Sequence, residues 1–166
     1  MDLLDRRPGR LTSAVLRAPG WLYRLHLGWV LGDRFLYFSH RGRRTGRTRH
    51  TIVEVVRFDR GEPEATVVAG WGPGTQWYRN LEAAPAEEVV IGRRRWPHPG
   101  HRFLDEPERG ALLRSYADEH PRAARGLGRA FGVPELDDRA IARLAERTRA
   151  VAFRPFPAAR AVRTGA

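Results

Sequence analysis

Three short segments that favour β-strands follow one another closely, and this spacing constrains the fold more than any other feature. They are residues 34–39, 51–58 and 65–69, all rich in aromatic or β-branched residues. The connection at residues 42–49 contains two glycines, and the one at residues 59–63 has the Asp, Gly and Pro that are typical of turns. The sequence therefore predicts two hairpins at the start of an antiparallel sheet.

Two further strand patterns follow a short helical segment. Residues 75–84 predict a helix that Thr75 caps and that ends before Pro85. Residues 88–92 and 95–104 predict strands separated by a basic turn. Because prolines 97 and 99 lack the N–H group that a central strand needs, we expect the second of these strands at an edge of the sheet.

The C-terminal third predicts helices and one last strand. Asp105 and Glu108 have the D-x-x-E spacing of a capping box, which predicts a helix over residues 106–118. Residues 121–131 and 137–148 predict two more helices, and residues 149–154 predict a strand. Five or six strands with helices before, between and after them favour an α+β class with an antiparallel barrel over a doubly wound sheet.

The chain has 166 residues, which fits a single domain, residues 1–166, with a hydrophobic core. Within it, residues 34–104 hold the barrel strands with the inserted helix 75–84, and residues 105–148 hold the C-terminal helices. The last strand at residues 149–154 returns to the sheet.

The N-terminal segment, residues 11–31, predicts an amphipathic helix because its apolar residues recur at helical spacing. Arg17 and Pro19 interrupt this segment, which is too polar for a membrane span. We expect the helix to pack on the core, with peripheral contact to a membrane surface as the alternative. Acids at positions 2 and 5 disfavour a signal peptide, so a cytoplasmic protein is expected.

The positive charge is concentrated in two windows of the sequence. The formal net charge is +11, and all the basic residues are arginine because the chain has no lysine. Five arginines lie within residues 41–49 and three more at 93–95, and neither window contains an acid. A field of this kind attracts phosphates, nucleic acid, anionic lipid or an acidic cofactor.

The connection at residues 42–49, with the sequence GRRTGRTR, suits a polyanion. Glycine lets backbone N–H groups approach a ligand closely, and the guanidinium fork matches phosphate or carboxylate. From the residues alone, a solvated turn, a phosphate site and a nucleic-acid contact stay open.

A second group of candidate residues is AGWG at residues 69–72, followed by QWYRNL at residues 76–81. Glycines that leave a strand and open a helix form a turn where backbone amides can hold a flat or anionic ligand. Trp71 and Trp77 offer aromatic faces for stacking, although Trp77 fits a core position equally well. Together, the two groups predict a pocket with a phosphate end and an aromatic end.

The sequence contains no evident set of residues for acid–base, nucleophilic or metal chemistry. The absence of cysteine excludes disulfides, thiolate metal sites and cysteine nucleophiles. His98 and His101 have no partner at a convincing metal-ligand spacing, and no serine lies in a nucleophile elbow. A cofactor that carries the reaction would explain this pattern, because the protein need only bind and orient it.

The serial order of these motifs resembles the deazaflavin-dependent nitroreductase and F-420H2-dependent quinone reductase family of actinobacteria. The motifs are GRRTGRTR between two strands, then VVAGWG, then WYRNL with a proline after it, then a strand ending in GRRR. Residues 116–125 (YADEHPRAAR) are similar to one subgroup. The resemblance covers residues 34–154 and implies a split β-barrel of the FMN-binding, flavin-reductase type with reduced coenzyme F-420 as hydride donor.

The resemblance also implies roles for individual residues. The turn at residues 42–49 would hold the phosphate and the polyglutamate tail of the cofactor. The loop at 69–72 would lie against the deazaflavin ring, and the following helix would lie beside it. Tyr116 and His120 lie where relatives place substrate-facing or proton-donating groups, which makes them the catalytic candidates. The implied cofactor-binding residues are Arg43, Arg44, Thr45, Gly46, Arg47, Arg49, Ala69, Gly70, Trp71, Gly72, Trp77, Arg79 and Asn80.

The leading hypothesis is a cytoplasmic F-420-dependent oxidoreductase that passes a hydride to a planar acceptor such as a quinone or a nitroaromatic compound. One alternative keeps the fold and replaces the cofactor with FMN. Another is a basic nucleic-acid-binding domain in which the hairpin and the arginines at 93–95 straddle a backbone. Because split barrels of this type are often dimers, a homodimer is expected, and no metal is expected.

Overall fold

The computed structural model describes residues 32–130 and 136–156. The helix predicted at residues 11–31 lies outside these ranges. None of the helices in the described part of the chain is long and apolar enough to cross a membrane.

Within the part of the chain that the structure describes, seven strands form one antiparallel sheet, one or two strands more than expected. Their order across the sheet is β5-β4-β1-β2-β3-β7-β6, and each neighbouring pair is antiparallel. The predicted hairpins β1–β2 and β2–β3 and the last strand are confirmed. The strands are β1 (Phe35–Arg41), β2 (Thr48–Asp59), β3 (Glu64–Ala69), β4 (Glu88–Ile91), β5 (Arg94–Pro97), β6 (Gly100–Phe103) and β7 (Arg149–Arg154).

The prediction of a single strand at residues 95–104 is wrong, because the chain forms two strands there. β5 and β6 separate at His98, whose φ of 45° leaves the extended conformation. Pro97 and Pro99 flank this residue, and neither can donate a hydrogen bond to a ladder. The expected edge position is confirmed for both parts, since β5 and β6 are the outermost strands of the sheet.

The sheet curls into an incomplete barrel. β5 and β6 stand at opposite ends of the strand order, yet only residues 98 and 99 separate them along the chain, so the two edges lie close together. Phe38 of β1 contacts Phe153 of β7, with ring centroids 5.2 Å apart, and Phe58 of β2 contacts Trp96 of β5 at 6.3 Å. Two strands lie between the partners of each pair, so these contacts cross the interior. The predicted α+β class with an antiparallel barrel is therefore confirmed.

Side chains alternate between the interior and the outer face of the barrel. In β3, Ala65 and Val67 belong to the interior core, whereas Val68 packs in a second cluster with Leu112. In β1 the same alternation places Leu36, Phe38 and His40 in one row, all of them buried. His40 is therefore the last member of an inward-facing row, at the end of β1 where the basic hairpin begins.

In the described ranges, four α-helices flank the sheet. They are α1 (Gln76–Ala83), α2 (Glu106–Glu119), α3 (Pro121–Ala130) and α4 (Asp138–Arg147). The predicted capping box of α2 is confirmed, because the Asp105 side chain accepts from the Glu108 N–H (2.9 Å) and the Glu108 side chain accepts from the Asp105 N–H (3.0 Å). Leu112 of α2 packs against Ala150 and Ala152 of β7 on the outer face of the sheet. Leu113 of α2 packs against Ile141 of α4.

Helix α1 lies across the barrel, between two strands that do not hydrogen-bond to each other. Trp77 contacts Phe38 of β1 with ring centroids 5.5 Å apart, and Tyr78 contacts Phe103 of β6 at 5.0 Å. One prediction for this helix is wrong. Thr75 does occupy the N-cap position, but its side chain makes no capping hydrogen bond.

Candidate functional site

The hairpin between β1 and β2 is a tight turn held by its own backbone. The carbonyl oxygen of Gly42 accepts hydrogen bonds from the N–H groups of Thr45 (3.1 Å) and Gly46 (2.8 Å), and the Gly42 N–H donates to the carbonyl of Arg47 (2.9 Å). Gly46 has a φ of 64°, a conformation that a side chain would make unfavourable. These bonds fix the points from which the arginine side chains of the hairpin project.

Asn80 of α1 connects this hairpin to the helix. Its Oδ1 accepts hydrogen bonds from the backbone N–H of Arg43 (3.2 Å) and from Nη1 of the same residue (3.0 Å). Both Nη atoms of Arg43 also donate to Oε1 of Gln76, at 3.1 Å each. The two candidate groups identified in the sequence therefore meet in space, and Arg43 is the residue through which they meet.

His40 contacts Asn80 from the barrel side and was not among the predicted site residues. Its ring is 2% exposed, Nδ1 lies 3.2 Å from Nδ2 of Asn80, and Nε2 lies 3.0 Å from Oγ1 of Thr51. Burial lowers the pKa of His40, and the neighbouring side chains of His50 and Arg49 act in the same direction. The ring is therefore neutral near pH 7.

A signal for His40 was present in the sequence. It stands two residues after Phe38 and four after Leu36, so strand alternation puts it on the apolar face. A polar side chain on that face needs a buried hydrogen-bond partner, and the partner here lies forty residues away on another element.

Three arginines of the hairpin carry a charge that no acid among the described residues offsets. Arg44, Arg47 and Arg49 are exposed and form no ion pair with any residue that the structure describes. Glu87, an acid at the base of the hairpin, accepts hydrogen bonds from Nε of Arg41 (2.9 Å) and from the hydroxyl of Thr48 (3.2 Å). The outer part of the hairpin thus presents uncompensated guanidinium groups to any anion.

The second basic window differs from the first in its ion pairs. Arg94 pairs with Asp33 (3.2 Å) and Arg95 with Glu88 (2.6 Å). This turn follows Ile91, which pairs with Leu36 at the end of β1 remote from the hairpin. Residues 93–95 and the hairpin therefore lie at opposite ends of β1, about 20 Å apart along the strand.

The loop after β3 is shaped by a close approach to α4. Gly72 has a φ of 61°, and a Cβ atom at this position would overlap the carbonyl oxygen of Arg147. Ala69, which opens the loop, is buried in the ladder between β3 and β7, so it presents no surface to a ligand in the free protein. Trp71 is 49% exposed, whereas Trp77 packs its ring against Phe38 in the core. The free aromatic face in this loop is that of Trp71.

Thr75 places an unused hydroxyl at the start of α1. The residue is 7% exposed, and its Oγ1 has no hydrogen-bond partner in the described ranges. Because this side chain does not cap the helix, the N–H groups of the first turn also lack a side-chain acceptor. A buried hydroxyl without a partner costs about 1–3 kcal/mol. A ligand oxygen or nitrogen that reaches this buried atom would remove that cost.

The other predicted residues lie farther from the hairpin. Arg79 is exposed on α1, one residue before Asn80. Tyr116 on α2 contacts the ring of His120 at 5.3 Å, and burial, together with the carboxylate of Glu54, raises the pKa of Tyr116. Glu54 pairs with Phe35 at the far end of β1, so the structure does not bring this pair to the hairpin. The catalytic role of Tyr116 and His120 stays a prediction.

The residues around the hairpin suit a long anion joined to a flat ring. Unpaired guanidinium groups stand at one end, and the exposed face of Trp71 and the unpartnered hydroxyl of Thr75 stand on the neighbouring loop. Over residues 32–130 and 136–156, no group of three or more His, Asp or Glu side chains could hold a metal ion.

Comparison with known proteins gives a family match. The model of the F-420H(2)-dependent quinone reductase family matches residues 17–129, which is more than half of the chain. None of the curated proteins compared with the chain matches it.

Three solved structures are similar to the chain. An F-420-H2-dependent reductase, FDR-A, has 18% identity over 74% of this chain and 95% of its own, with a TM-score of 0.47. A domain-swapped dimer has 17% identity over 81% and 98%, with a TM-score of 0.48. A pyridoxamine 5′-phosphate oxidase-related FMN-binding protein from Nostoc punctiforme has 12% identity over 92% and 82%, with a TM-score of 0.46.

Proposed function

The chain belongs to the F-420H(2)-dependent quinone reductase family, and we propose that it passes a hydride from reduced coenzyme F-420 to a quinone or a nitroaromatic compound. Membership makes the protein an oxidoreductase and F-420 its coenzyme. The identity of the acceptor, and the residues that hold each part of the coenzyme, belong to the proposal.

The observation that carries the proposal is the basic hairpin fastened to α1. Arg44, Arg47 and Arg49 have no acidic partner among the described residues, although acids pair with arginines elsewhere on the same sheet. Coenzyme F-420 has a phosphate and a polyglutamate tail, which is a long anion. Guanidinium groups match both phosphate and carboxylate oxygens, so this surface fits that tail.

The residues of the site divide into binding and scaffolding groups. When bound, the coenzyme supplies the hydride. Arg44, Arg47 and Arg49 hold its tail, and the backbone of residues 70–72 with the hydroxyl of Thr75 orients its ring. The Arg43 guanidinium donates to the amide oxygens of Asn80 and Gln76 and so positions the hairpin. Because both acceptors are neutral, the positive charge of Arg43 is not offset by them. Trp71 flanks the planar acceptor, because Trp77 is already packed in the core.

The structure does not favour the alternative hypothesis of a nucleic-acid-binding domain. It needs the hairpin and residues 93–95 to lie along one backbone, but these turns are at opposite ends of β1. In addition, Arg94 and Arg95 are already paired with acids. The homodimer expected from the sequence stays part of the proposal, as does the role of Tyr116 and His120.

A binding titration tests the coenzyme site. Purified protein is titrated with oxidised F-420 and, separately, with FMN, and the fluorescence of each is followed. The triple variant Arg44→Ala, Arg47→Ala and Arg49→Ala should bind F-420 about a hundredfold more weakly, on the order of a few kcal/mol for three charge-assisted contacts. Unchanged affinity in this variant would contradict the proposed tail site.

A control variant removes the same charge elsewhere. Arg122, Arg139 and Arg143 are exposed on α3 and α4, and their replacement by Ala should leave F-420 affinity within about twofold at moderate salt, where distant charges are screened. Tight FMN binding with weak F-420 binding would favour the FMN alternative. Oxidation of reduced F-420 by a quinone and by a nitroaromatic compound then identifies the acceptor class.

A further inference from the structure

We propose that His40 is a positioning residue, whose neutral ring orients the Asn80 amide and thereby holds Arg43 and the basic hairpin against α1. The geometric part of this inference concerns the hairpin alone. Its consequence for coenzyme affinity rests on the proposed function.

The orientation of the Asn80 amide follows from Arg43. One end of the amide lies within hydrogen-bond distance of two donors of Arg43, its backbone N–H and its Nη1. Both are donors under all accessible conditions, so the end that faces them is the oxygen. The Asn80 NH₂ group therefore faces His40.

The tautomer of His40 follows from that orientation. Nδ1 lies 3.2 Å from the Asn80 NH₂ group, so it has to accept and cannot carry a proton. The ring proton is then on Nε2, which donates to Oγ1 of Thr51 at 3.0 Å. Both ring nitrogens thus have a side-chain partner, as a residue that is only 2% exposed requires.

Protonation of His40 would break this chain of hydrogen bonds. An N–H at Nδ1 would point at the Asn80 NH₂ group, and turning the amide over would put that NH₂ group against the two donors of Arg43. Neither arrangement satisfies all the groups, so the link between the hairpin and α1 weakens when the ring becomes charged. A neutral ring is thus a condition for a firmly held hairpin.

The charges around His40 favour the neutral ring on balance. Arg49 and His50 on β2 oppose a positive charge at His40. Glu87 before β4 and the backbone of Arg41 on its own strand act the other way. Burial, the largest effect, lowers the pKa of His40.

Two substitutions separate the acceptor function of the ring from its donor function. His40→Asn places a side-chain oxygen where Nδ1 stands, so it keeps an acceptor for Asn80 and cannot titrate. His40→Gln reaches the position of Nε2 and can serve Thr51, but offers no acceptor at Nδ1. A purely packing role would make the two variants behave alike.

The first readout needs no coenzyme. In ¹⁵N NMR spectra at pH 7, the His40 ring should show the neutral form with the proton on Nε2. Hydrogen exchange of the Arg43 backbone amide should be slow in wild type and in His40→Asn. It should be about tenfold faster in His40→Gln, because residue 40 then no longer orients the Asn80 oxygen that accepts from this amide. A proton on Nδ1, or equal exchange in both variants, would overturn the inference.

The second readout is F-420 affinity between pH 7.5 and 5.5. Wild type and His40→Asn should bind alike at pH 7.5 and His40→Gln about tenfold more weakly, and any loss of affinity in acid that comes from this ring should be confined to wild type. Equal affinity of all three proteins across this range would overturn the positioning role. If wild type binds no F-420, the proposed function fails, while the exchange of the Arg43 amide still decides the inference about His40.

Discussion

The side-chain oxygen of Asn80 lies 3.2 Å from the backbone nitrogen of Arg43 and 3.0 Å from its Nη1, so one buried amide fastens the basic hairpin to α1. The same amide contacts His40 with its nitrogen end. The position of the hairpin therefore depends on a side chain that is 5% exposed, while the arginines that it positions face solvent.

Replacement of Asn80 by Ala should weaken both the fold and the site. The substitution leaves Nδ1 of His40 and the backbone N–H of Arg43 without partners. It should lower the free energy of unfolding in urea by about 1–3 kcal/mol and weaken F-420 binding. The control is Gln76→Ala, which removes exposed hydrogen bonds to Arg43 and to the Gly74 carbonyl and should change stability by about 0.5 kcal/mol or less. Equal losses in the two variants would contradict the role given to Asn80.

Gly72 and Gly74 form a matched pair for the loop that carries Trp71. Gly72→Ala forces a side chain into a left-handed backbone conformation and into the carbonyl of Arg147, so it should cost roughly 2–5 kcal/mol. Gly74 has open space around it, and Gly74→Ala should stay within about 0.5 kcal/mol of wild type. Thermal unfolding measures both. A tolerated Gly72→Ala would show that the loop does not depend on this close approach.

Thr75→Val tests whether the unpartnered hydroxyl serves a ligand. The hydroxyl has no partner in the described chain, so its removal should leave the stability of the free protein unchanged or raise it slightly. F-420 affinity should fall by about fivefold or more, and Thr75→Ser should retain it.

Thr66 provides the comparison, because its Oγ1 is also buried without a partner but lies in β3. Thr66→Val should behave like Thr75→Val in urea unfolding and leave F-420 affinity unchanged. Unaltered affinity in Thr75→Val would remove this hydroxyl from the coenzyme site.

Stability should fall as the pH drops below about 6.5. Burial lowers the pKa of both His40 and His101 from the ordinary value of 6.5. Between the lowered values and 6.5 the unfolded chain binds more protons than the folded chain, so the free energy of unfolding decreases with decreasing pH. Urea unfolding at pH 7.5 and 5.5 should show the decrease, and His40→Asn should reduce it. The same decrease in that variant would mean that His40 contributes nothing to it.

The two basic windows show how far a local reading of the sequence reaches. Both are rich in arginine and free of acids, so the sequence predicts the same anion-binding surface for each. In the fold, Arg94 and Arg95 meet Asp33 and Glu88, whereas the outer arginines of the hairpin meet no acid among the described residues. Such pairing depends on which strands become neighbours, and this information is not present in a short window.

The sequence by itself determined the features that depend on near neighbours. Strand alternation, turn composition and the capping box of α2 rest on contacts within a few residues. The hairpins β1–β2 and β2–β3, the last strand and the capping box, all predicted from such contacts, are confirmed. The prediction of one strand at 95–104 is wrong for a local reason as well. Pro97 and Pro99 flank His98, whose φ is positive, and together they end a ladder that the strand pattern alone would continue.

Tertiary structure alone decided how the site is assembled. The bond between Asn80 and His40 spans forty residues, and the bond between Asn80 and Arg43 spans thirty-seven. Both exist because the curled sheet brings the end of β1 under α1. The choice of which arginines stay unpaired, which tryptophan stays exposed and which histidine stays neutral follows from that packing, since burial and charge pairing are properties of the surroundings in space.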